Sequence, residues 1–346
     1  MSAAPPTTPF GCRHSPVFPE LLAELGVSLA ATTQHAGKVI AIAADGDRIV
    51  VLPRSFDAPM GIALEGERLA VATRDQIVLL ANEPRLAGAY PRQPDTYDAL
   101  YLPRSIHFCG EVAVHDLAWV GERLVGVNTL FSCLFELDAR FSFRPIWRPA
   151  FVEAAVPEDA CHLNGLAVDT KGPRYATAFA ATGGANAWRD ASPASGVVLD
   201  VASGGIVVGD LAMPHSPRLV EGQLFVLASA TGALLAVDTD RGSFEVVNRV
   251  PGFARGLARH GDYWFVGTSR LRAGGAIQRS DAENRCGISV LHAATGARVA
   301  ELEFLRSCDQ IYDVAVLPAR RPGILGIGDD THRQALATPD ATFWSR

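Results

Sequence analysis

The sequence predicts an all-β chain folded as a single β-propeller, six blades favoured and seven the alternative, with one short N-terminal helix. Three observations carry this. Helical periodicity is scarce: the apolar runs are short, β-branched or alternating, and broken by Gly, Asp or Pro. One phrase recurs: MGIALEGERLAVAT from Met60 and HDLAWVGERLVGVNT from His115 both place a strand, a Gly-Glu-Arg turn and a second strand at identical spacing. Looser copies begin at Asn164, His215 and Arg255, and YDVAVLP from Tyr312 reads as a first strand alone, so the starts fall about 40 to 57 residues apart. A period of that length, with room for about four strands, is that of propeller blades, which bury their faces only by stacking around an axis.

The elements follow in chain order. MSAAPPTTPFGCRHSP lacks a basic segment followed by an apolar one, so residues 1–17 read as a Pro-rich disordered arm and not as a secretory signal. FPELLAELG, Phe18 to Gly26, sets three leucines on one side before a Gly stop and predicts the helix. SLAATTQ, KVIAIAA and RIVVLP are strands, the last two joined by an Asp-Gly turn. LFSCLFELD with FSFRPIW, GVVLDVA with GGIVVGD, GALLAVD with SFEVVNRV, and CGISVLHA with GARVAELEFL complete successive blades. The blade begun at Tyr312 is left incomplete at the C-terminus, and the N-terminal strands are expected to complete it, within a propeller over 18–328. GILGIG after Pro322 is the extra strand that a seventh blade would use, and 329–346 reads as a peripheral polar tail. Two insertions, Asn82 to Ser105 and Ala181 to Ser195, have the length of functional lids or of plain surface loops.

Composition narrows the function classes. The 346 residues are 48% hydrophobic, enough for a large core, and carry a formal charge of −6 with no basic stripe, which removes the electrostatic basis for nucleic-acid binding. No apolar run reaches the roughly 18 residues of a membrane span. The six cysteines are scattered without a CxxC pair, so reduced thiols in a cytoplasmic protein are expected.

Aligning the copies places Met60, His115, Asn164, His215, Arg255 and Tyr312 in one row at the start of the innermost strands. Gly61, Asp116, Gly165, Ser216, Gly256 and Asp313 form the next row. Innermost strands line the axial channel, so both rows ring one mouth, with Asn164 facing the axis and His162 just above it. Three chemistries suit such a ring, against the plain alternative of a wet polar channel. His115, His162 and His215 come from three blades, and neutral imidazoles ligate Zn, Fe or Cu, with Asp116 or Asp313 orienting a ring. Asn128, Asn164 and Asp313 offer oxygens to Ca. Arg218, Arg255, Arg270 and Arg272 carry forks for a carboxylate, sulfate or phosphate, or else pair with Asp116 and Asp313 across the channel. The expected ligand set is Asn128, Asn164, Ser216, Arg218, Arg255, Arg272, Tyr312, Asp313 and Asp116. The expected metal set is His115, His162 and His215, and no catalytic residue is singled out. Cys161 beside His162, and Ser216 beside His215, point to opposite faces of a strand and make poor dyads.

NGLAVD from Asn164 resembles the corresponding segment of the gluconolactonase and senescence-marker propellers and of strictosidine synthase relatives. In the calcium-binding lactonases that segment supplies an Asn ligand, which the resemblance places at Asn164 alone. Over a longer span, VNTLFSCLFELD, FSFRPIWRPAF, EDACHLNGLAVD, MPHSPR, PGFARGLA and IYDVAVLP resemble the motif set of a bacterial family of conserved hypothetical proteins, described as a domain of unknown function. The resemblance runs roughly from Leu25 to Pro318 and implies no activity. Ala160 stands where that family's pattern is expected to have Arg. The functional expectation is a polar small-molecule or metal site at the channel mouth, in a metal-dependent enzyme acting on a small polar or peptide substrate. Its alternative is a non-catalytic module that binds a partner protein.

Overall fold

Each Gly-Glu-Arg hairpin forms the inner half of a sheet, and the strands that follow it in sequence add outward by antiparallel pairing. The structure, a computed structural model, describes residues 9–271 and 283–345. Six sheets surround one axis in a six-bladed propeller. Blade 1 takes its innermost strand, Asp313–Leu317, from the C-terminal region and the other three, Ser28–Thr33, Lys38–Asp45 and Arg48–Ser55, from the N-terminal region. Antiparallel pairing of Ser28 with Leu317 and of Thr32 with Asp313 closes the ring. The innermost strands of blades 2 to 6 are Ile62–Glu65, Val114–Val120, Leu163–Asp169, Pro214–Val220 and Phe253–His260.

Two expectations are corrected at the edges. The segment after Pro322 starts no seventh blade: Pro322–Ile324 runs parallel to Ala99–Phe108 as a fifth, outer strand of blade 2. The arm expected over 1–17 is structured in its second half, where Cys12–His14 pairs antiparallel with Leu302 to Phe304 and extends blade 6. Both additions give a partner to an outer strand edge that would otherwise be bare. The C-terminal residues form a small hairpin, Ala335–Ala337 with Thr342–Trp344. Trp344 lies 5.6 Å from Tyr90 and donates its indole N–H to the Leu86 carbonyl, so tail and first insertion share a satellite core.

Stability rests on six apolar cores, one between each pair of adjacent blades. Val125, Leu134, Leu166 and Leu199 fill the seam between blades 3 and 4, for example, and Leu227, Leu234, Trp264 and Val266 that between blades 5 and 6. The helix, Val17–Leu25, lies over the closing seam and buries Phe18, Leu21 and Leu22 with Ile40 of blade 1 and Phe304 of blade 6. It ends at Gly26, whose φ of 69° lets the backbone turn back so that the Val27 N–H reaches the Leu22 carbonyl. No helix among the described residues is long and apolar enough to cross a membrane.

Around the axis the second row alternates. Blades 2, 4 and 6 carry Gly61, Gly165 and Gly256, and blades 1, 3 and 5 carry Asp313, Asp116 and Ser216. Each polar side chain accepts a backbone N–H from the next blade: Ile62 to Asp313 at 3.2 Å, Leu166 to Asp116 at 3.0 Å, Gly256 to Ser216 at 3.0 Å. Each glycine lets the following blade approach: a Cβ at Gly61 would lie 2.9 Å from Cα of Asp116, and one at Gly256 2.8 Å from Cα of Asp313. At the axis, innermost strands of adjacent blades share no backbone ladder, so their inward N–H groups need side-chain acceptors. The blades are thus coupled in three pairs.

Candidate functional site

Asp313 on blade 1 and Asp116 on blade 3 both face Arg218 on blade 5, at 3.5 and 3.0 Å. Its guanidinium also donates to the Leu257 and Pro217 carbonyls. Arg218, expected to bind an anion, is therefore committed to the ion-pair alternative and forms a floor across the channel. Burial opposes its charge, but Asp116 and Asp313 outweigh that and raise its pKa. Burial raises the Asp313 carboxyl to about 7, with Arg218 opposing. Below this floor the channel opens to the other mouth through a space of about 380 Å³. Ser216, Asp116 and Asp313, all expected as ligand-binding residues, are engaged as inter-blade acceptors.

Above the floor the first row converges. His115 lies 4.9 Å from His162, 6.2 Å from His215 and 5.5 Å from Tyr312 between ring centroids. Arg255 sets its guanidinium 4.5 Å from the centre of the Tyr312 ring and 5.3 Å from that of Phe253. Four successive blades each bring one sealed polar atom that has no hydrogen-bond partner among the described residues. These are Asn164 Nδ2 on blade 4, His215 Nε2 on blade 5, Arg255 Nε on blade 6 and the Tyr312 hydroxyl on blade 1. The amide, the guanidinium and the hydroxyl are hydrogen-bond donors, and the imidazole nitrogen becomes one in its Nε2–H tautomer. Burial lowers the pKa of Arg255, and burial with Arg255 nearby lowers that of His215 well below its usual value. Arg255 also lines a cleft of about 550 Å³ between blades 6 and 1, with Phe253, Ser269, Arg270 and Gln310. Arg270, at its wall, is paired with Asp309 at 2.6 Å. Arg272 lies outside the described residues.

His162 is built differently, from loop geometry. Asp159 and His162 both adopt left-handed backbone, with φ of 45° and 52°. That turn lets one carboxylate accept the His162 backbone N–H at 3.0 Å and its Nδ1–H at 2.9 Å. The same carboxylate accepts the Trp188 indole N–H at 3.0 Å, and Trp188 and Phe179 flank the imidazole at 4.2 and 4.6 Å. Burial lowers the His162 pKa while Asp159 opposes. His115 gives its Nδ1–H to the Ala113 carbonyl at 2.9 Å, and burial holds it neutral. In these tautomers the Nε2 atoms of His115 and His162 are lone-pair acceptors. Trp188, Asp159 and Phe179 were not singled out from the sequence. The signal was the lone Trp in the insertion Ala181 to Ser195, which folds over the mouth.

Among the described residues no group of three or more His, Cys, Asp or Glu side chains is arranged to hold a metal ion. His115, His162 and His215 meet as stacked and edge-on rings. The calcium set does not fit either. Asn128 Oδ1 accepts from the Phe131 N–H, Asn164 Oδ1 from the Thr177 hydroxyl, and the two Asp313 oxygens from Val314 and Ile62. The remaining Asn128 and Asn164 groups are amide donors, the wrong polarity for a cation. Cys161 is buried in the seam between blades 3 and 4, its thiol pushed up to about 12 by burial, and takes no part in the mouth.

Comparison with known proteins agrees with the propeller fold and adds no chemistry to it. Residues 16–325 match a family described as Domain of unknown function (DUF4915). The chain belongs to the DUF4915 family. No curated protein matches this DUF4915 chain. Among solved structures it is similar to a chain in the crystal structure of a nidogen/laminin complex, at 10% identity and a TM-score of 0.57, covering 84% of this chain and 98% of that one. It is also similar to a protein of unknown function from Bacteroides caccae, at 9% identity and a TM-score of 0.52, covering 84% and 99%. At such identities the likeness concerns the fold alone.

Proposed function

We propose that this DUF4915 protein binds a small anionic molecule, a carboxylate by preference, at the channel mouth above the Arg218 floor. One observation carries the reading: Asn164, His215, Arg255 and Tyr312, at the starts of the innermost strands of four successive blades, each hold a sealed polar atom without a partner among the described residues, and the His215 and Tyr312 rings and the Arg255 guanidinium lie together. A buried donor without an acceptor costs about 1–3 kcal/mol, more when charged, so four together mark a site completed by an acceptor-rich ligand. Arg255 supplies the charge, and the aromatic walls of Tyr312, Phe179 and Trp188 supply a dry, low-dielectric surround in which that charge acts strongly.

The test is thermal unfolding in a panel of acetate, oxalate, malonate, succinate, sulfate and phosphate, each against sodium chloride at equal ionic strength. A carboxylate that raises the midpoint of the wild type, and does so neither in Arg255→Met nor in Tyr312→Phe, supports the site. If no member of the panel exceeds chloride, the reading fails.

A further inference from the structure

Cys286 precedes and Cys308 follows the hairpin of strands Gly287–His292 and Arg298–Phe304 in blade 6, and their sulfurs are 3.8 Å apart. This is the one sulfur–sulfur contact among the described cysteines, all six of which are free thiols. We propose that Cys286 and Cys308 are a modification site, at which a hydroperoxide converts the two thiols to an intramolecular disulfide.

The surroundings of the pair differ from those of the other buried thiols. Cys308 is the buried side chain in an otherwise exposed run: Leu305, Arg306, Ser307 and Asp309 all face solvent. Ser307 holds a φ of 61°, a left-handed turn that tucks Cys308 beneath this run. Opening one short surface loop therefore reaches the sulfur, whereas Cys161 lies in the seam between blades 3 and 4. Geometry also divides the roles. Cys308 lies directly beneath the exposed run, with its sulfur 3.5 Å from the Gln310 carbonyl, and Cys286 lies behind it at 3.8 Å. Cys308 is thus the attacking sulfur and Cys286 the resolving one.

The step balances as follows. The Cys308 thiolate attacks one oxygen of hydrogen peroxide, the O–O bond breaks, and hydroxide leaves to be protonated as water; Cys308 becomes a sulfenic acid. Cys286 then attacks the Cys308 sulfur, the S–O bond breaks, and a second water departs. Two thiols are oxidised and one peroxide is reduced to two waters. The bond replaces the contact of Cys308 with Gln310, whose side chain lines the cleft beside Arg255.

The experiment treats the folded full-length chain with a small excess of hydrogen peroxide, caps free thiols with N-ethylmaleimide under denaturing conditions, and maps peptides by mass spectrometry. The expected result is four capped cysteines and one Cys286–Cys308 linked peptide, reversed by dithiothreitol. Cys286→Ser should instead stop at a Cys308 sulfenic acid, trapped by dimedone. Six capped cysteines at peroxide levels that oxidise a free thiol overturn the proposal. So does a disulfide between any other pair, or direct passage of Cys308 to sulfinic acid in the wild type. Because the decisive result comes from the wild type, a folding defect in the variant does not blunt it.

Discussion

Asp313 accepts the backbone N–H of Ile62 at 3.2 Å, and in doing so fastens the C-terminal strand that closes the propeller to the first strand of the next blade. Its carboxyl also faces Arg218 at 3.5 Å, and Asp116 lies across the same guanidinium. Burial raises its pKa from an ordinary 3.8 to about 7. The folded state therefore holds a proton that the unfolded state releases. The stabilisation from that proton is complete below about pH 4 and is lost as pH rises through about 7. His115, His162 and His215 act in the opposite sense, since their lowered values cost stability as pH falls below 6.5. Asp313→Asn removes only the first effect. Urea unfolding at pH 5, 6, 7 and 8 should show the stability difference, wild type minus variant, falling steadily with pH. A difference that stays flat means Asp313 titrates at an ordinary value.

The alternation of glycine with Asp or Ser around the axis makes a sharper demand on Gly256. Its φ is 82°, and a Cβ there would lie 2.8 Å from Cα of Asp313. Gly256→Ala meets backbone that cannot retreat without opening the closing seam. The expected loss is about 2–4 kcal/mol, from left-handed strain and steric overlap together. Gly66→Ala is the control: φ is 56° and no atom lies within 4 Å, so it loses about 1 kcal/mol from conformation alone. Equal losses in denaturant unfolding would refute the close-approach account.

What the sequence reveals and what it hides divide along the same line as repeat and loop. The recurring strand-turn-strand phrase defines register, so the first row follows from the sequence alone, and four of its members, His115, His215, Arg255 and Tyr312, lie in contact. The fates of Arg218 and Arg255 were harder to separate, because both sit in short polar motifs. Depth decides them. Arg255 occupies the row itself, whereas Arg218 lies three residues beyond the row on its own strand, and its guanidinium meets Asp116 and Asp313 of the second row. The Asp159–His162–Trp188 arrangement was not legible, because it depends on two left-handed residues in a turn and on an insertion from between two strands of the same blade. The seventh-blade reading of Pro322–Ile324 failed for a related reason. An apolar run shows that a segment is buried, but not which sheet edge receives it.

Trp188 reports on His162. Their rings are 4.2 Å apart, and both donate to the Asp159 carboxylate. An imidazolium at that distance quenches indole emission, whereas neutral imidazole does so weakly. Subtracting the emission of Trp188→Phe from that of wild type should therefore isolate a signal that falls as pH drops below 6.5. Asp159 holds the His162 pKa up against burial, so Asp159→Asn should move the transition to lower pH. A transition that moves upward, or does not move, would show that Asp159 does not control this imidazole.

Arg255 offers the strongest contrast between stability and function. Its Nε is sealed without a partner among the described residues, and the guanidinium rests on the Tyr312 and Phe253 rings. Arg218, by contrast, answers two buried carboxylates. Removing a buried cation that lacks a counterion relieves a desolvation cost, and removing one that neutralises acids leaves those acids stranded. Arg255→Met keeps the length and the apolar contact with both rings. In ligand-free protein it should raise stability by about 1 kcal/mol, the scale on which strained functional positions respond to relief. Arg218→Met should lower it by about 3–5 kcal/mol. Denaturant unfolding of both variants in chloride buffer checks the pair. If Arg255→Met loses stability instead, the Arg255 charge is already compensated within the fold, and the anion-binding reading of the mouth loses its charge argument.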